Sequence, residues 1–112
     1  MADDCLFCKI VAGEIPATKV REDDDTLTFT DINPQAPTHV LVVPKRHIAD
    51  IAELSADADA GAALLRGIRA SAEATGLTEY RAVFNTGARA GQTVFHVHAH
   101  VLGGRQMHWP PG

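Results

Sequence analysis

Three histidines alternate with aliphatic residues in the segment 93–102, which reads TVFHVHAHVL. A period of two is typical of a β-strand, in which successive side chains point to opposite faces. At a rise of roughly 3.3 Å per residue, the pattern predicts His96, His98 and His100 on one face, about 6.6 Å apart, with the aliphatic residues on the core side. Imidazoles serve as nucleophiles, acid–base groups and metal ligands near neutral pH, so this segment is the first candidate for chemistry.

Three interpretations of the triplet compete. Strand histidines are usually surface groups or hydrogen-bonded core groups, although three in strict alternation rarely arise that way. His-x-His on a strand can also chelate one zinc ion. In the third interpretation the central imidazole is a nucleophile, and its neighbours orient it and bind phosphate oxygens. The preceding residues Gly91-Gln92-Thr93 favour this third interpretation, because they offer backbone N–H groups and a hydroxyl to an anion.

Composition narrows the class of protein. A chain of 112 residues with 46% hydrophobic residues is expected to form one domain. A net charge of −4 without a basic cluster argues against nucleic-acid binding, whereas a mononucleotide needs only a few donors. The start, Met1 to Asp4, lacks the features of a signal peptide, and no apolar run approaches the roughly 18 residues of a membrane span. We therefore expect a cytoplasmic protein, with no membrane partner and with reduced cysteines.

Two helices are predicted. Asp4 is expected to cap a short helix over residues 5–11, with Leu6, Phe7 and Ile10 inward. Ser55 is expected to open a long helix that stops at Gly76, with acidic residues in its first turn. This helix carries an apolar stripe of Leu64, Leu65 and Ile68. It also carries a small-residue surface that permits close approach of another backbone, such as a second copy of the helix, formed by Ala60, Gly61, Ala63 and Gly67.

Strand patterns occur on both sides of the long helix. They cover residues 18–22, 26–31, 38–44 and 80–85, followed by the histidine segment. The run 38–44 is the most apolar and is expected at the centre of the sheet. Strands, then a helix, then strands with short loops indicate an α+β fold with a mainly antiparallel five-stranded sheet, one long helix and one short helix.

The chain resembles the histidine-triad family, whose signature of three histidines alternating with apolar residues matches residues 96–102 throughout. The similarity extends over nearly the whole chain, so that residues 1–112 would form a single histidine-triad domain. The ending GGRQMHWPPG resembles the nucleoside phosphoramidase branch of this family. That branch implies a homodimer whose two sheets join into one. Its substrates are purine nucleoside 5′-phosphoramidates or aminoacyl adenylates, whose P–N or acyl–phosphate linkage is hydrolysed.

The resemblance implies a catalytic group. His98 would be the nucleophile that forms a covalent nucleotidyl-histidine, and His96 and His100 would orient it or contact phosphate oxygens. Thr93 stands where the branch usually has serine, with its hydroxyl near the leaving amine. His39 resembles a histidine that supports the catalytic ones. From the residues alone, Thr93 and His39 could equally have only structural roles.

A nucleotide-binding group is implied in the same way. Asp31 matches the acid that binds the ribose, although an aspartate at a strand end is by default a turn residue. Asn85 and the backbone at Gly91 and Gln92 match phosphate contacts. The residues that match a base pocket could also be plain core, and they are Leu6, Phe7, Ile10, Phe29, Ile32 and Leu41.

Cys5 and Cys8 have the Cys-x2-Cys spacing of one half of a tetrahedral zinc site. Packing of two small residues on a helix is the alternative, and no βαβ pattern supports a redox pair. Members of the phosphoramidase branch that end like this chain generally lack the pair. Many bacterial members of the family have it, and there it joins two histidines, matched here by His47 and His96, at a structural zinc that catalysis does not require.

Other functions remain open at this stage. The triplet could bind zinc directly in a zinc-dependent hydrolase, or the protein could be a nucleotide-binding adaptor dimer with weak activity. Within the family, a dinucleoside polyphosphate hydrolase is the alternative to the phosphoramidase. The apolar, proline-rich tail 107–112 is expected to lie on a surface, which the resemblance places on the second subunit of the homodimer.

Overall fold

The computed structural model describes residues 4–112 and consists of one five-stranded antiparallel sheet with helices on both faces. The strands are ordered β1-β2-β3-β5-β4 across the sheet. The elements in chain order are α1 Leu6–Val11, β1 Lys19–Glu22, β2 Thr26–Thr30, β3 Thr38–Pro44, α2 Ile51–Leu54, α3 Ala58–Ala74, β4 Tyr80–Val83 and β5 Ala99–Gly103. This architecture confirms the predicted α+β class.

Strand β3 lies at the centre, as its apolar run predicted. It pairs antiparallel with β2 on one side and with β5 on the other. Val42 and Val43 are both fully buried, although they point to opposite faces. Both faces of the sheet are therefore covered, which is why β3 is continuously apolar.

The two faces carry different cores. One face packs on α3 and includes Val42, Leu64, Ile68 and Val101. The other face packs on α1 and includes Phe7, Phe29 and Leu41. The register pairs Leu41 with both Phe29 and His100, and opposed residues share a face. His100 therefore lies on the α1 face.

Helix α3 begins later than predicted. Asp57 is its N-cap, and the side chain accepts a hydrogen bond from the Ala60 N–H. Ser55 instead ends the additional short helix α2, which Asp50 caps. Asp57 and Asp50 are better caps than Ser55 here because each carboxylate reaches an N–H three residues ahead. The stop at Gly76 is confirmed, with a left-handed φ of 76°.

Part of the small-residue surface of α3, at Gly67, packs on this chain's own sheet, whereas Gly61 has open space around it within residues 4–112. A Cβ at Gly67 would lie 3.0 Å from Thr26 Oγ1 and 3.1 Å from Val42 Cγ1. The glycine lets helix and sheet approach closely. The predicted apolar stripe is also too wide, because Leu65 is 65% exposed while its neighbour Leu64 is buried.

The prediction of one strand through the whole histidine segment is wrong, because β5 begins only at Ala99. Before it, residues 92–98 bond to the loop that follows β3. The Val97 N–H donates to the Ile48 carbonyl at 2.6 Å, and the Gln92 side chain donates to the Ala49 carbonyl at 2.8 Å. These non-strand bonds turn the chain away from the sheet at His96.

Smaller corrections concern element ends. Helix α1 is capped by Cys5, not by Asp4, because the Cys5 sulfur accepts from the Cys8 N–H at 3.3 Å. Leu6 is 43% exposed rather than inward, whereas Phe7 and Ile10 are buried as predicted.

Within residues 4–112, no helix combines the length and apolarity needed to cross a bilayer.

Candidate active site and metal centre

A cavity of about 610 Å³ opens on the α1 face of the sheet. Its volume lies in the range of small-molecule sites. It brings together residues from α1, β2, β3 and the segment before β5. The sequence-predicted residues that line it are Leu6, Phe7, Ile10, Phe29, Asp31, Ile32, Leu41, Thr93, His98 and His100. His39, Asn85, Gly91, Gln92 and His96 lie outside this lining.

His98 is held in one tautomer by the backbone. Its Nδ1 lies 2.9 Å from the His96 carbonyl oxygen, and a carbonyl can only accept, so Nδ1 carries the hydrogen. Nε2 then keeps a free lone pair. The edge-on Phe7 ring, 5.0 Å away between centroids, restrains the imidazole plane. Burial lowers the pKa of His98, against the opposing effects of the His96 carbonyl and Asp31, so the ring is neutral at pH 7.

His100 is held by a second imidazole. The Gln35 N–H donates to His39 Nδ1 at 3.0 Å, and a backbone N–H can only donate. The hydrogen of neutral His39 is therefore on Nε2, which donates to His100 Nδ1 at 2.9 Å. His100 must then carry its own hydrogen on Nε2. Burial, followed by the neighbouring His98 and His39, lowers the pKa of His100 to about 4.

Asp31 completes this network. Its Oδ1 accepts from the Asn33 N–H at 2.8 Å, and its Oδ2 lies 3.4 Å from His39 Nε2 and 3.9 Å from His100 Nδ1. The ligand atoms of Asp31, His39 and His100 are close enough to surround a metal ion. Because His39 Nε2 carries a hydrogen, however, it has no lone pair to give, and we interpret the three as a hydrogen-bond network.

A separate cluster fits zinc. The metal-ligating atoms of Cys5, Cys8, His47 and His96 all lie within 4.8 Å of one another. His96 Nδ1 lies 3.3 Å from the Cys5 sulfur and 3.4 Å from the Cys8 sulfur. Two thiols and two imidazoles are the donor set of tetrahedral structural zinc, and two thiolates would neutralise the ion.

The orientation of His96 supports the same assignment. Its Nε2 donates to the Pro44 carbonyl at 2.8 Å, which leaves Nδ1 unprotonated and facing the two sulfurs. A carbonyl behind a histidine is the usual arrangement for fixing a metal-binding tautomer. Burial and the adjacent Cys5 raise the pKa of Cys8 to about 11, so its thiol stays protonated unless a cation stabilises the thiolate.

The triplet is therefore divided between two sites. The His96 imidazole is fully buried in the Cys2His2 cluster and does not line the cavity, and the His96 carbonyl holds His98. His98 and His100 remain together, with ring centroids 5.0 Å apart. A single three-histidine zinc site is incompatible with this geometry.

The loop before the histidines is braced by Gln92. Its buried side chain accepts from the Gly87 N–H at 2.9 Å and donates to the carbonyls of Ala49 and Val94. Gly91 has a left-handed φ of 97°, and a Cβ there would lie 3.4 Å from Asn85 Nδ2. The Gln92 side chain is thus used to shape the loop, and any contact of Gln92 with an anion would come from its backbone.

Only some residues of the predicted base pocket are buried in the apolar core. Phe7, Phe29 and Leu41 are buried beneath the cavity. Ile32 has a fully exposed side chain at the rim. A flat apolar floor with one exposed aliphatic residue above it suits a planar ring.

Sequence reasoning missed the residues that act through their backbone. The carbonyls of Pro44 and His96 and the N–H of Gln35 fix three histidine tautomers. Backbone groups leave no residue-type signal. Arg105, which donates to the Gln35 carbonyl, was also missed because a lone arginine in a tail is not distinctive.

Fold and site together define an α+β domain with a paired-histidine cavity beside a Cys2His2 cluster. The HIT-domain family model matches residues 12–107, and the chain belongs to this histidine-triad family. A HIT-like protein of Synechococcus elongatus is 52% identical over the full length of both chains. The 14 kDa zinc-binding protein of Zea mays is 46% identical, covering 96% of this chain and 87% of its own.

Solved structures agree with the sequence comparison. The crystal structure of a HIT family hydrolase from Legionella pneumophila superposes with a TM-score of 0.92 at 54% identity. It covers 97% of this chain and 100% of its own. The similarity therefore includes the whole sheet and both sites.

Proposed function

We propose that this protein hydrolyses purine nucleoside 5′-phosphoramidates and aminoacyl adenylates through a nucleotidyl-histidine on His98. The observation that carries the proposal is the fixed tautomer of His98. Its Nδ1–H bond to the His96 carbonyl leaves Nε2 as the nucleophilic nitrogen of a neutral ring at a nucleotide-sized cavity. The similarity to a HIT family hydrolase supports the hydrolase class.

In the first step, the His98 Nε2 lone pair attacks phosphorus and the P–N bond breaks. The departing nitrogen takes the bonding pair and one proton, which solvent water supplies through the Thr93 hydroxyl at the cavity. With an aminoacyl adenylate, the P–O bond to the acyl group breaks instead, and the amino acid leaves as a carboxylate that needs no proton. The His100 Nε2–H can donate to a phosphoryl oxygen and stabilise charge that develops in the transition state. The Nδ1–H bond of His98 also stabilises the imidazolium that forms.

In the second step, water attacks the nucleotidyl-histidine. The P–Nε2 bond breaks, its electron pair returns to Nε2 to restore neutral His98, and a nucleoside monophosphate that carries the water oxygen leaves. The proton lost by the water passes to solvent and balances the proton that the departing amine took up in the first step. Asp31, at the rim between β2 and β3, is placed to receive the ribose hydroxyls, and the Phe7–Leu41 floor to receive the base. No metal is required for either step.

The Cys2His2 cluster is proposed as a structural zinc site. Zinc would join α1, through both cysteines, to the loop after β3 and to the segment before β5. The names of the zinc-binding relatives in Zea mays and Brassica juncea support this choice of metal. The role of the zinc ion in this proposal is to hold the backbone at His96.

We also propose a homodimer with joined sheets. β4 is an edge strand, so its outer backbone groups are available to a second copy. Leu65 on α3 and Tyr80 on β4 are apolar and exposed, at 65% and 41%. Covering them in a second subunit would remove that surface from water.

A substrate panel tests the function. Adenosine and guanosine 5′-phosphoramidates are assayed with diadenosine polyphosphates as competitors, and rapid quenching traps acid-labile adducts for mass spectrometry. We expect phosphoramidate turnover and a nucleotidyl adduct on residue 98. Preferential cleavage of diadenosine polyphosphates would establish the alternative hydrolase, and nucleotide binding without any adduct would establish an adaptor.

A further inference from the structure

The cavity histidines are connected to the start of the C-terminal tail by a chain of hydrogen bonds. Arg105 follows β5, and its Nη2 and Nε donate to the Gln35 carbonyl at 3.0 and 3.4 Å. Gln35 lies in the loop between β2 and β3, and its N–H donates to His39 Nδ1. His39 then donates to His100.

We propose that Arg105 and the Gln35 backbone are positioning groups that set the tautomer and orientation of His100 through His39. The catalytic consequence of this proposal rests on the proposed function. The hydrogen-bond chain from Arg105 to His100 does not depend on it.

The direction of the chain follows from its fixed ends. The Gln35 N–H cannot accept, so neutral His39 is protonated at Nε2 alone. His39 Nε2 donates to His100 Nδ1 at 2.9 Å, and Asp31 Oδ2 lies 3.4 Å from the same nitrogen. The reverse direction, with His100 Nδ1 as donor, would place two hydrogens between the rings. His100 is thus locked with its hydrogen on Nε2.

The loop that carries the Gln35 N–H needs support at both ends. At its start, Asp31 Oδ1 accepts from the Asn33 N–H, and the Asp31 N–H donates to the His39 carbonyl at 3.0 Å. Within the loop, the Gln35 side chain donates to the Asn33 carbonyl at 3.0 Å, and at the far side the tail contacts the loop. Arg105 binds the Gln35 carbonyl, and a Cβ at Gly104 would lie 3.0 Å from Pro37 Cβ, so tail and loop are in close contact.

Because of this arrangement, we expect a substitution at Arg105, at the start of the tail, to affect catalysis. A loop without Arg105 can turn its Gln35 N–H away from His39. His39 can then move its hydrogen to Nδ1, and His100 loses its reason to prefer Nε2–H. The donor facing a phosphoryl oxygen would be lost in a fraction of molecules, which lowers kcat more than it weakens ground-state binding.

The test measures the tautomer directly. Nitrogen-15 chemical shifts of the full-length protein with labelled histidine, recorded without substrate at pH 7, report which nitrogens carry hydrogen. In the wild type we expect His39 and His100 to be protonated on Nε2 only. Arg105→Ala and Gln35→Pro, which removes the N–H, should each give a mixed or reversed tautomer at His100.

Matched variants separate positioning from folding. Arg105→Lys keeps a cation that can reach the carbonyl and should restore most of the wild-type signal, and Gln35→Ala keeps the N–H and should retain the tautomer. Arg66→Ala removes an exposed arginine from α3, on the opposite face of the sheet, and should change nothing. Urea midpoints identify any variant that fails to fold.

Kinetics with adenosine 5′-phosphoramidate provide the second measurement. We expect Arg105→Ala to lower kcat about five-fold, which corresponds to the loss of one exposed hydrogen bond. KM should stay within about two-fold of the wild-type value. The hydrogen-bond chain from Arg105 to His100, which we call the His100 relay, would be refuted by either of two results. One is a wild-type His100 that is protonated on Nδ1, and the other is an unchanged tautomer in both Arg105→Ala and Gln35→Pro. If the tautomers shift as expected but the wild type has no phosphoramidase activity, the proposed function fails while the relay stands.

Discussion

At the scale of single residues, His98 and His100 would have different tasks in the proposed reaction because their backbone partners differ. The His96 carbonyl leaves His98 with a nucleophilic Nε2, while the Gln35 N–H, acting through His39, leaves His100 with a donor Nε2–H. Two adjacent imidazoles thus differ in proton position without either being charged. The first two predictions test this difference.

His98→Ala should abolish turnover of adenosine 5′-phosphoramidate, by at least about 10³-fold, because it removes the group that forms the covalent bond. Affinity for AMP, measured by calorimetry, should stay within a few-fold, because the floor and Asp31 remain. The nucleotidyl adduct should appear in the wild type only. Turnover close to wild type in His98→Ala would refute the mechanism.

His100 should make stability depend on pH in a defined window. Its pKa is lowered to about 4 by burial and by His98 and His39, against the attraction of Asp31, whereas an unfolded histidine titrates near 6.5. Between these values the unfolded chain binds a proton that the folded chain does not. The free energy of unfolding must therefore fall as pH falls from about 6.5 to about 4.

The comparison variant is His100→Asn, whose amide oxygen can still accept from His39. Urea unfolding at several pH values should give the wild type a steeper slope, by up to about 1.4 kcal/mol per pH unit. Parallel slopes in the two proteins would show that His100 is protonated equally in both states.

At the scale of elements, sequence patterns predicted the strands and helices that pack by hydrophobic contact. The continuous apolar run of β3 indicated a central strand, and it is one. The alternation through residues 93–98 misled because period two describes side-chain direction, not backbone pairing. In this segment the Val97 N–H bonds to the Ile48 carbonyl, and the Gln92 side chain just before it bonds to the Ala49 carbonyl. No local pattern encodes these bonds.

The cavity and the Cys2His2 cluster were also only partly predictable from the sequence. The cavity residues of β2 and β3 followed from strand ends and from the family resemblance. The zinc cluster joins positions as far apart as 5 and 96, and spacing alone identified only its cysteine half. Backbone groups such as the Pro44 carbonyl were not predictable, because every residue has one.

The two glycines of α3 test how the helix meets the sheet. At Gly61, a Cβ would meet no other atom within 4 Å among residues 4–112, so Gly61→Ala should stabilise the protein by about 0.5–1 kcal/mol through helix propensity. At Gly67, the same change presses on Thr26 and Val42, which are both buried and held in strands.

Gly67→Ala should therefore cost about 1 kcal/mol despite the same gain in propensity. Thermal or urea unfolding of the two variants, which serve as controls for each other, measures the difference. Equal stabilisation of both would mean that helix and sheet separate easily at Gly67.

The metal cluster is tested by Cys8→Ser. Zinc contributes roughly 10 kcal/mol or more in peptides that fold only with metal, but this domain has two cores of its own and should lose less. We expect substoichiometric zinc by elemental analysis and a Tm lower by roughly 10 °C, the shift for about 2 kcal/mol. The decrease in kcat should be smaller.

A chelator provides the control for Cys8→Ser. Chelator-treated wild type should approach the stability of Cys8→Ser, and the variant should respond little. Wild-type protein purified without chelators that contains no metal would contradict a zinc site.

At the scale of the whole molecule, the single chain leaves its tail uncovered. Arg105 and Gly104 fix the start of the tail on the β2–β3 loop, but Trp109 is 81% exposed. An exposed tryptophan is unfavourable in water, and the two prolines that follow it prevent this segment from joining the interior of a sheet. Within one subunit the tail therefore lacks the surface that its composition requires.

The proposed homodimer would supply that surface. If the tail crosses to the second subunit and Trp109 borders its leaving-group site, deletion of residues 107–112 should leave AMP affinity intact but change the ranking of bulky and small amines. The truncation keeps Arg105, so the His100 relay stays in place. Trp109→Ala in the full-length chain should reproduce most of the change. Light scattering should still show a dimer, because the β4 edge with Leu65 and Tyr80 would carry the interface. An unchanged ranking of amine leaving groups in the truncated protein would mean that the tail has no role in specificity, and loss of the dimer would mean that the tail, rather than the sheet edge, holds the subunits together.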